Sequence, residues 1–239
     1  MKPKKLALTL AASIALAAAA GGCNHNKKSA EETTASKYKL LNGSTSDHSE
    51  VAAPEPALNV DTRFAAGRVA ETQGRLDCAA VQYEQALRLK GNHVPSLYRL
   101  GIVQTKMKQF DLATATWRKY IKATGDSASG YSNLGFCYEM AGDVNNAEKA
   151  YKDGIQRDAN SVPCRTNYGL MLARHNRVPE AENQLNAVLK PDEVRYNLAA
   201  VYEQKGEIRQ AKAELKKAIE INPGNREAQS RLASLPVNE

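Results

Sequence analysis

This chain has little to offer a transition metal: four histidines and four cysteines, neither set spaced to close around an ion. His25 and His48 fall in a polar N-terminal segment, while His93 and His175 fall near turns with no nucleophile beside them. No glycine-rich phosphate loop is present, because the glycines recur at long regular intervals instead. These absences exclude metal-dependent, nucleophilic and nucleotide-hydrolysing chemistry as readings of the sequence. The chain is expected to be no enzyme and to hold no cofactor or metal. Strong charge of one sign is also lacking. The formal charge is +7; the first 22 residues hold three lysines and no acid, leaving 30 basic residues against 26 acidic ones, or +4. No basic stripe interleaved with aromatics runs through the sequence, which argues against a nucleic-acid partner. Lys205, Arg209, Lys212, Lys216 and Lys217 do gather near the C-terminus. They read as a solvated helix face, with anionic headgroups or an acidic partner as the alternative.

What the chain has instead is a period. Small residues recur at Gly67, Gly101, Gly135, Gly169 and Ala199, and again twelve residues later at Ala79, Ala113, Ala147, Ala181 and Ala211. Large residues follow four further on, at Tyr83, Trp117, Tyr151, Leu185 and Leu215. The steps are 34, 34, 34 and 30 residues. Self-similarity at a fixed period of this length marks a stacked array of two-helix units, none of which buries its apolar face alone. The small residues let helices cross closely and the large ones fill the space they leave.

These residues resemble the tetratricopeptide repeat pattern, large-x-x-Leu-Gly-x-x-Tyr in a first helix, Ala-x-x-x-aromatic in a second, then proline. The third repeat matches best, through Tyr131, Leu134, Gly135, Tyr138, Ala147 and Tyr151. The second keeps Leu97, Leu100, Gly101, Ala113 and Trp117, and the fifth keeps Leu198, Ala199, Tyr202, Ala211, Leu215, Ala218 and Pro223. In the first, Arg63 and Ala66 replace large residues. The resemblance implies an all-α solenoid of five helix pairs over 60–93, 94–127, 128–161, 162–191 and 192–223. A capping helix and tail follow over 224–239. The fourth repeat is short, so its second helix or exit loop must be trimmed.

Local signals agree with this phase. Gly74, Gly142 and Gly206, with Lys108 and Asn176 in the other two repeats, stand where a first helix must stop and turn. Ser161 and Asp192 are expected N-caps. Pro95, Pro163 and Pro179 fall in first turns, where a missing N–H costs little. Asn225 to Leu235 reads as one more short helix, with Arg226, Glu227, Gln229 and Arg231 on a polar face.

The region before the repeats differs in kind. Lys2, Lys4 and Lys5 precede the apolar stretch Leu6 to Ala20, and Gly21-Gly22 follows. Residues 1–22 read as a signal peptide, the run being shorter than the about 20 residues of a membrane span. Ala20-Gly21-Gly22-Cys23 resembles a bacterial lipobox, although alanine replaces the usual leucine. The resemblance implies lipid on Cys23 and attachment to a membrane of the bacterial envelope, with the periplasmic side of the outer membrane favoured. Ordinary cleavage after Ala20, giving a soluble secreted or periplasmic protein, is the alternative. Residues 23–59 form the lipidated cysteine and a polar, aperiodic tether. Within it Tyr38, Leu40 and Leu41 are a stray apolar cluster or a docking peptide. Cys78, Cys137 and Cys164 then remain, an odd number, and are expected as buried or half-buried free thiols.

In this family the first helices line the concave surface, so the resemblance places the site there. One row holds Phe64, Tyr98, Ser132, Thr166 and Tyr196; the next holds Ala65, Arg99, Asn133, Asn167 and Asn197. A third holds Arg68, Ile102, Phe136, Leu170 and Ala200; a fourth holds Glu71, Thr105, Glu139, Ala173 and Glu203. Ile102, Phe136 and Leu170 make an apolar stripe, and Asn133, Asn167 and Asn197 a ladder able to donate to and accept from an extended backbone. With Tyr98 and Glu139 these are the candidate partner-binding residues. The opposite reading packs the stripe between helices. The lysine and asparagine set that grips C-terminal carboxylates in chaperone-binding relatives is not reproduced. Two functions follow: a scaffold or chaperone of an envelope assembly, such as pilus or secretion machinery, or a structural, self-associating protein that covers its own groove as a homo-oligomer.

Overall fold

The structure, a computed structural model, describes residues 59–236. The leader, Cys23 and all but the last residue of the tether expected over 23–59 lie outside the described residues.

Eleven α-helices and no strand occur among the described residues. The pairs are α1 (Val60–Thr72) with α2 (Leu76–Leu89), α3 (Val94–Lys106) with α4 (Phe110–Ala123), and α5 (Ala128–Met140) with α6 (Val144–Arg157). Then come α7 (Val162–Arg174) with α8 (Val178–Asn186), α9 (Pro191–Gln204) with α10 (Ile208–Ile221), and a last single helix α11 (Arg226–Ser234). This is the all-α solenoid the repeat implied. The trimming in the fourth unit falls on its second helix: α8 has 9 residues where α6 has 14.

Each pair is closed by the same turn. The second residue after the first helix takes a left-handed conformation, with φ of 73° at Gly74, 59° at Lys108, 81° at Gly142, 62° at Asn176 and 75° at Gly206. The next backbone N–H then reaches five residues back, as from Arg75 to Ala70 O at 2.9 Å and from Glu207 to Tyr202 O at 2.8 Å. That bond satisfies a carbonyl the helix end would leave bare. Pro95, Pro163 and Pro179 sit in first turns as expected, and so does Pro191.

The core is a row of layers. Ala79, Tyr83 and Ala86 of α2 are fully buried, and so are Ala147 and Tyr151 of α6 and Ala211, Leu215 and Ala218 of α10. Their spacings of four and three place them on one helix stripe. Each large residue lies over the glycine of its own repeat. A Cβ on Gly67 would stand 2.5 Å from the Tyr83 ring, on Gly101 2.6 Å from Trp117, on Gly135 2.6 Å from Tyr151, and on Gly169 2.7 Å from Leu185. Successive first helices α1 and α3, α5 and α7, and α7 and α9 also touch, while second helices make no comparable contact with one another. The first helices therefore form the tighter, inner face of the curve.

Two local expectations are corrected. Asp192 is not an N-cap: Lys190 is, and Asp192 lies buried in the first turn of α9. Its carboxylate accepts from Asn222 Nδ2 at 2.7 Å and Asn225 Nδ2 at 3.1 Å, tying α9 to the start of α11. Ser161 is the N-cap residue of α7, but its side chain makes no capping hydrogen bond. Among the cysteines, Cys137 and Cys164 are free and buried. Cys78 departs from the expected free thiol, being disulfide-bonded.

Candidate functional site

The inner face is built from one side of α1, α3, α5, α7 and α9, and much of it is already engaged. Glu71 Oε2 accepts from the Tyr83 hydroxyl at 3.0 Å and from Arg99 Nε at 2.9 Å, and Arg99 Nη2 closes on the other oxygen. Burial, and then this bond to a carboxylate, pushes the Tyr83 hydroxyl up to about 12. Two repeats later Glu139 accepts from the Tyr151 hydroxyl at 3.1 Å and from Arg174 at 2.5 and 2.8 Å. At the end of the array Glu203 accepts from Arg231 Nε at 2.7 Å, and Arg231 Nη1 donates to the Tyr196 hydroxyl at 3.3 Å. Each carboxylate thus pins one repeat to the next through a charge-assisted pair.

This places the candidate residues in three groups. Glu139 belongs to such a pin. Asn167 Nδ2 donates to Ser132 Oγ at 3.0 Å, across the α5–α7 seam, and Asn197 Nδ2 donates to its own helix at Glu193 O, 2.7 Å away. These three side chains hold the fold. Ile102 and Leu170 form the second group: both are half-buried and packed against the interior, Ile102 on the cluster around Trp117 and Leu134, Leu170 on that around Tyr168 and Leu172. The remaining three face outward from the groove floor. Tyr98 is 37% exposed and leans edge-on against Trp117 at 5.8 Å and against Tyr120 at 5.6 Å. Phe136 is half-buried, and Asn133 beside it is half-buried too. Met140, one turn beyond Phe136 on α5, is 51% exposed.

Met140, and the arginines Arg174 and Arg231, are what the sequence reading missed. Arg231 was expected on a solvent face, and it turns inward because Glu203 and Tyr196 wait there. Its one legible sign is register: it stands in the last helix where Arg99 stands in α3. The C-terminal basic group is also largely tied down. Lys205 pairs with Glu207 at 2.6 Å, Lys217 with Glu214 at 2.7 Å, and Lys212 donates to the Pro236 carbonyl.

A concavity of about 260 Å³ opens between α4, α5 and α6, bordered by Arg118, Tyr131, Tyr138, Lys149 and Asp153. Arg118 donates across it to the Tyr138 hydroxyl at 2.8 Å. Among the described residues no group of three or more His, Cys, Asp or Glu side chains is placed to hold a metal. No described helix is long and apolar enough to cross a membrane.

Comparison with known proteins agrees with this geometry. Models of the tetratricopeptide repeat match residues 96–124 and 192–225. The general transcriptional corepressor ssn6 of Schizosaccharomyces pombe is 27% identical over 138 residues, 57% of this chain and 12% of that protein. Tetratricopeptide repeat protein 7B of Homo sapiens is 25% identical over 95 residues, 40% of this chain and 11% of that protein. The chain therefore spans only about a tenth of the length of these curated relatives. Among solved structures, TTC0263, a thermophilic TPR protein of Thermus thermophilus, superimposes with a TM-score of 0.53 at 24% identity, over 73% of this chain and 97% of that one. Five helix pairs closed by one turn, each with a large residue packed on a small one, and two repeat-model matches in phase with them, show that the chain is built from tetratricopeptide repeats.

Proposed function

We propose that the protein is a non-catalytic scaffold that holds an extended segment of a partner protein on the inner face of its first three repeats. The observation that supports this most is the contrast within that face. Glu71, Glu139, Glu203, Asn167 and Asn197 are taken up by neighbouring repeats or by their own helix, whereas Tyr98, Asn133, Phe136 and Met140 are left toward the groove. Exposed aromatic and methionine side chains beside an amide are what an extended chain with apolar residues needs. The test is a photocrosslinker at Phe136 in cells. Adducts that map to one segment of one partner, and that vanish in an Asn133→Ala background, support the reading. Adducts only from an outer position such as Lys149 overturn it. A homo-oligomer whose own copy crosslinks at Phe136 returns the self-associating reading.

The signal-like leader and the lipobox-like Cys23 support an envelope location, with the chain anchored through lipid and the repeats offered to an assembly such as pilus or secretion machinery. Fatty-acid labelling tests the anchor: wild-type protein takes up label and Cys23→Ser does not. An acylated Cys23 is barred from any disulfide. A mature chain that begins after Ala20 without label, or that carries a Cys23–Cys78 bond, overturns the anchor.

A further inference from the structure

The ion pairs of the inner face decide what charge its ligand carries, an inference that rests on the groove reading above. Three first-helix carboxylates, Glu71, Glu139 and Glu203, are each matched by one arginine: Arg99, Arg174 and Arg231. Arg174 ends α7 and reaches back to Glu139 of the preceding repeat. Lys106 ends α3 in the equivalent place and by the same register would reach back to Glu71. It is displaced, because Arg99 and Tyr83 already occupy both oxygens of Glu71. Lys106 is exposed and has no ion pair or hydrogen bond among the described residues, and Lys108 two residues on is alike. Arg68 on α1, which stands in the row of Ile102 and Phe136, is also exposed and unpaired among the described residues.

Glu71, three residues beyond Arg68, and Glu139 are already engaged by Tyr83, Arg99, Tyr151 and Arg174, so neither is left to balance these cations. In the first three repeats the other such acid, Asp61, lies seven residues before Arg68, roughly 10 Å along the helix. Beside the cations lie Tyr98, Phe136 and the exposed Met140. We infer that the inner face of repeats one to three selects an acidic segment of a partner protein that alternates carboxylates with apolar side chains. The carboxylates meet Arg68 and Lys106; the apolar side chains meet Phe136 and Met140. Internal carboxylates suffice, because nothing in the arrangement demands a chain terminus. Charge of this kind fixes preference and encounter rate more than total affinity.

The test uses the full-length protein and three dye-labelled peptides of equal length, alternating leucine with glutamate, glutamine or lysine, followed by fluorescence anisotropy. The glutamate peptide should bind at least about tenfold tighter than the glutamine peptide at about 50 mM salt, and the gap should close at about 300 mM, where screening shortens to a few ångströms. Arg68→Glu with Lys106→Glu should erase the gap without moving the melting temperature, since both residues are exposed and unpaired. Phe136→Glu should weaken all three peptides. If glutamate and glutamine peptides bind alike, or lysine binds best, the charge inference fails while the groove reading stands. If no peptide binds, both fail. Binding to phosphatidylglycerol vesicles, lost in the same double variant with no peptide bound, would assign the cations to a membrane surface instead.

Discussion

The ring of Tyr151 lies directly over Gly135, its carbons 2.6 Å from where a β-carbon would stand, and its hydroxyl donates to Glu139, one turn beyond that glycine on α5. One side chain therefore closes a helix pair from within and reaches the pin that joins it to the next pair. The contact recurs as Gly67 with Tyr83 and Gly101 with Trp117. It is the unit from which the array is made.

Gly135→Leu should be destabilising by several kcal/mol, since even added methylenes that the core can partly accommodate cost about 1–3 kcal/mol. Tyr151→Ala should cost about 3–5 kcal/mol by truncating a fully buried aromatic. Because the two residues touch, Gly135→Ala combined with Tyr151→Ala should cost less than the sum of the single changes. Chemical denaturation of the four proteins checks this; strict additivity would mean that the contact carries no strain.

Glu139→Gln should weaken the seam between the third and fourth repeats by about 1–3 kcal/mol, because the buried Tyr151 and the half-buried Arg174 lose an ionised acceptor. A double-mutant cycle with Arg174→Gln isolates the pair. Native-state hydrogen exchange should show α7 and α8 opening more readily than α1 and α2. Equal loosening of all helices would place the coupling elsewhere.

Acid should loosen the outer ion network. Arg177 first, with Lys152 and Tyr168, holds the Glu148 carboxyl down from its usual 4.5 to about 2. A depressed carboxylate contributes stability that is complete above the unfolded value and is lost as pH falls through the folded one. The loss therefore spans roughly pH 5 to 2. Solvent screening keeps it small, because Arg177 is about a third exposed. Stability measured from pH 7 downward should decline less steeply in Glu148→Gln; identical profiles would remove Glu148 from the account.

Lys108→Gly should stabilise the protein by up to about 1 kcal/mol. Lys108 has a φ of 59°, a conformation that costs a residue with a β-carbon about 1–2 kcal/mol, offset in part by the greater freedom of glycine in the unfolded chain. Asn176→Gly should gain less, since asparagine tolerates that conformation and its Oδ1 accepts from Lys205 at 2.6 Å. Melting curves of the two variants decide it.

Phe136→Glu with Asn133→Ala should abolish partner capture and leave the melting temperature nearly unchanged. Neither side chain makes a hydrogen bond or joins a packed cluster among the described residues. Asn167→Ala, by contrast, should destabilise, because it orphans the buried Ser132. Unfolding of the first variant would move Phe136 into the core.

The sequence alone determined the repeat phase, the pairing of helices and the turn positions. Those rest on requirements that one or two residues meet locally: no β-carbon at Gly135 beneath Tyr151, and a left-handed residue at Gly74, Gly142 or Gly206. Even the shortened fourth unit was legible, as a missing four residues that α8 then absorbed. The tertiary structure alone decided which inner-face residues remain for a partner. Glu139 is matched by Arg174 and not by Asn167, which stands where Arg99 and Arg231 do; Asn167 turns to Ser132 instead. Asp192 has a cap's chemistry but faces Asn222 and Asn225 across a seam. Such choices join residues about 30 apart and depend on how far each repeat rotates over the last. Periodicity carries no record of that rotation, because it is set by the packing of unlike side chains between otherwise equivalent helices.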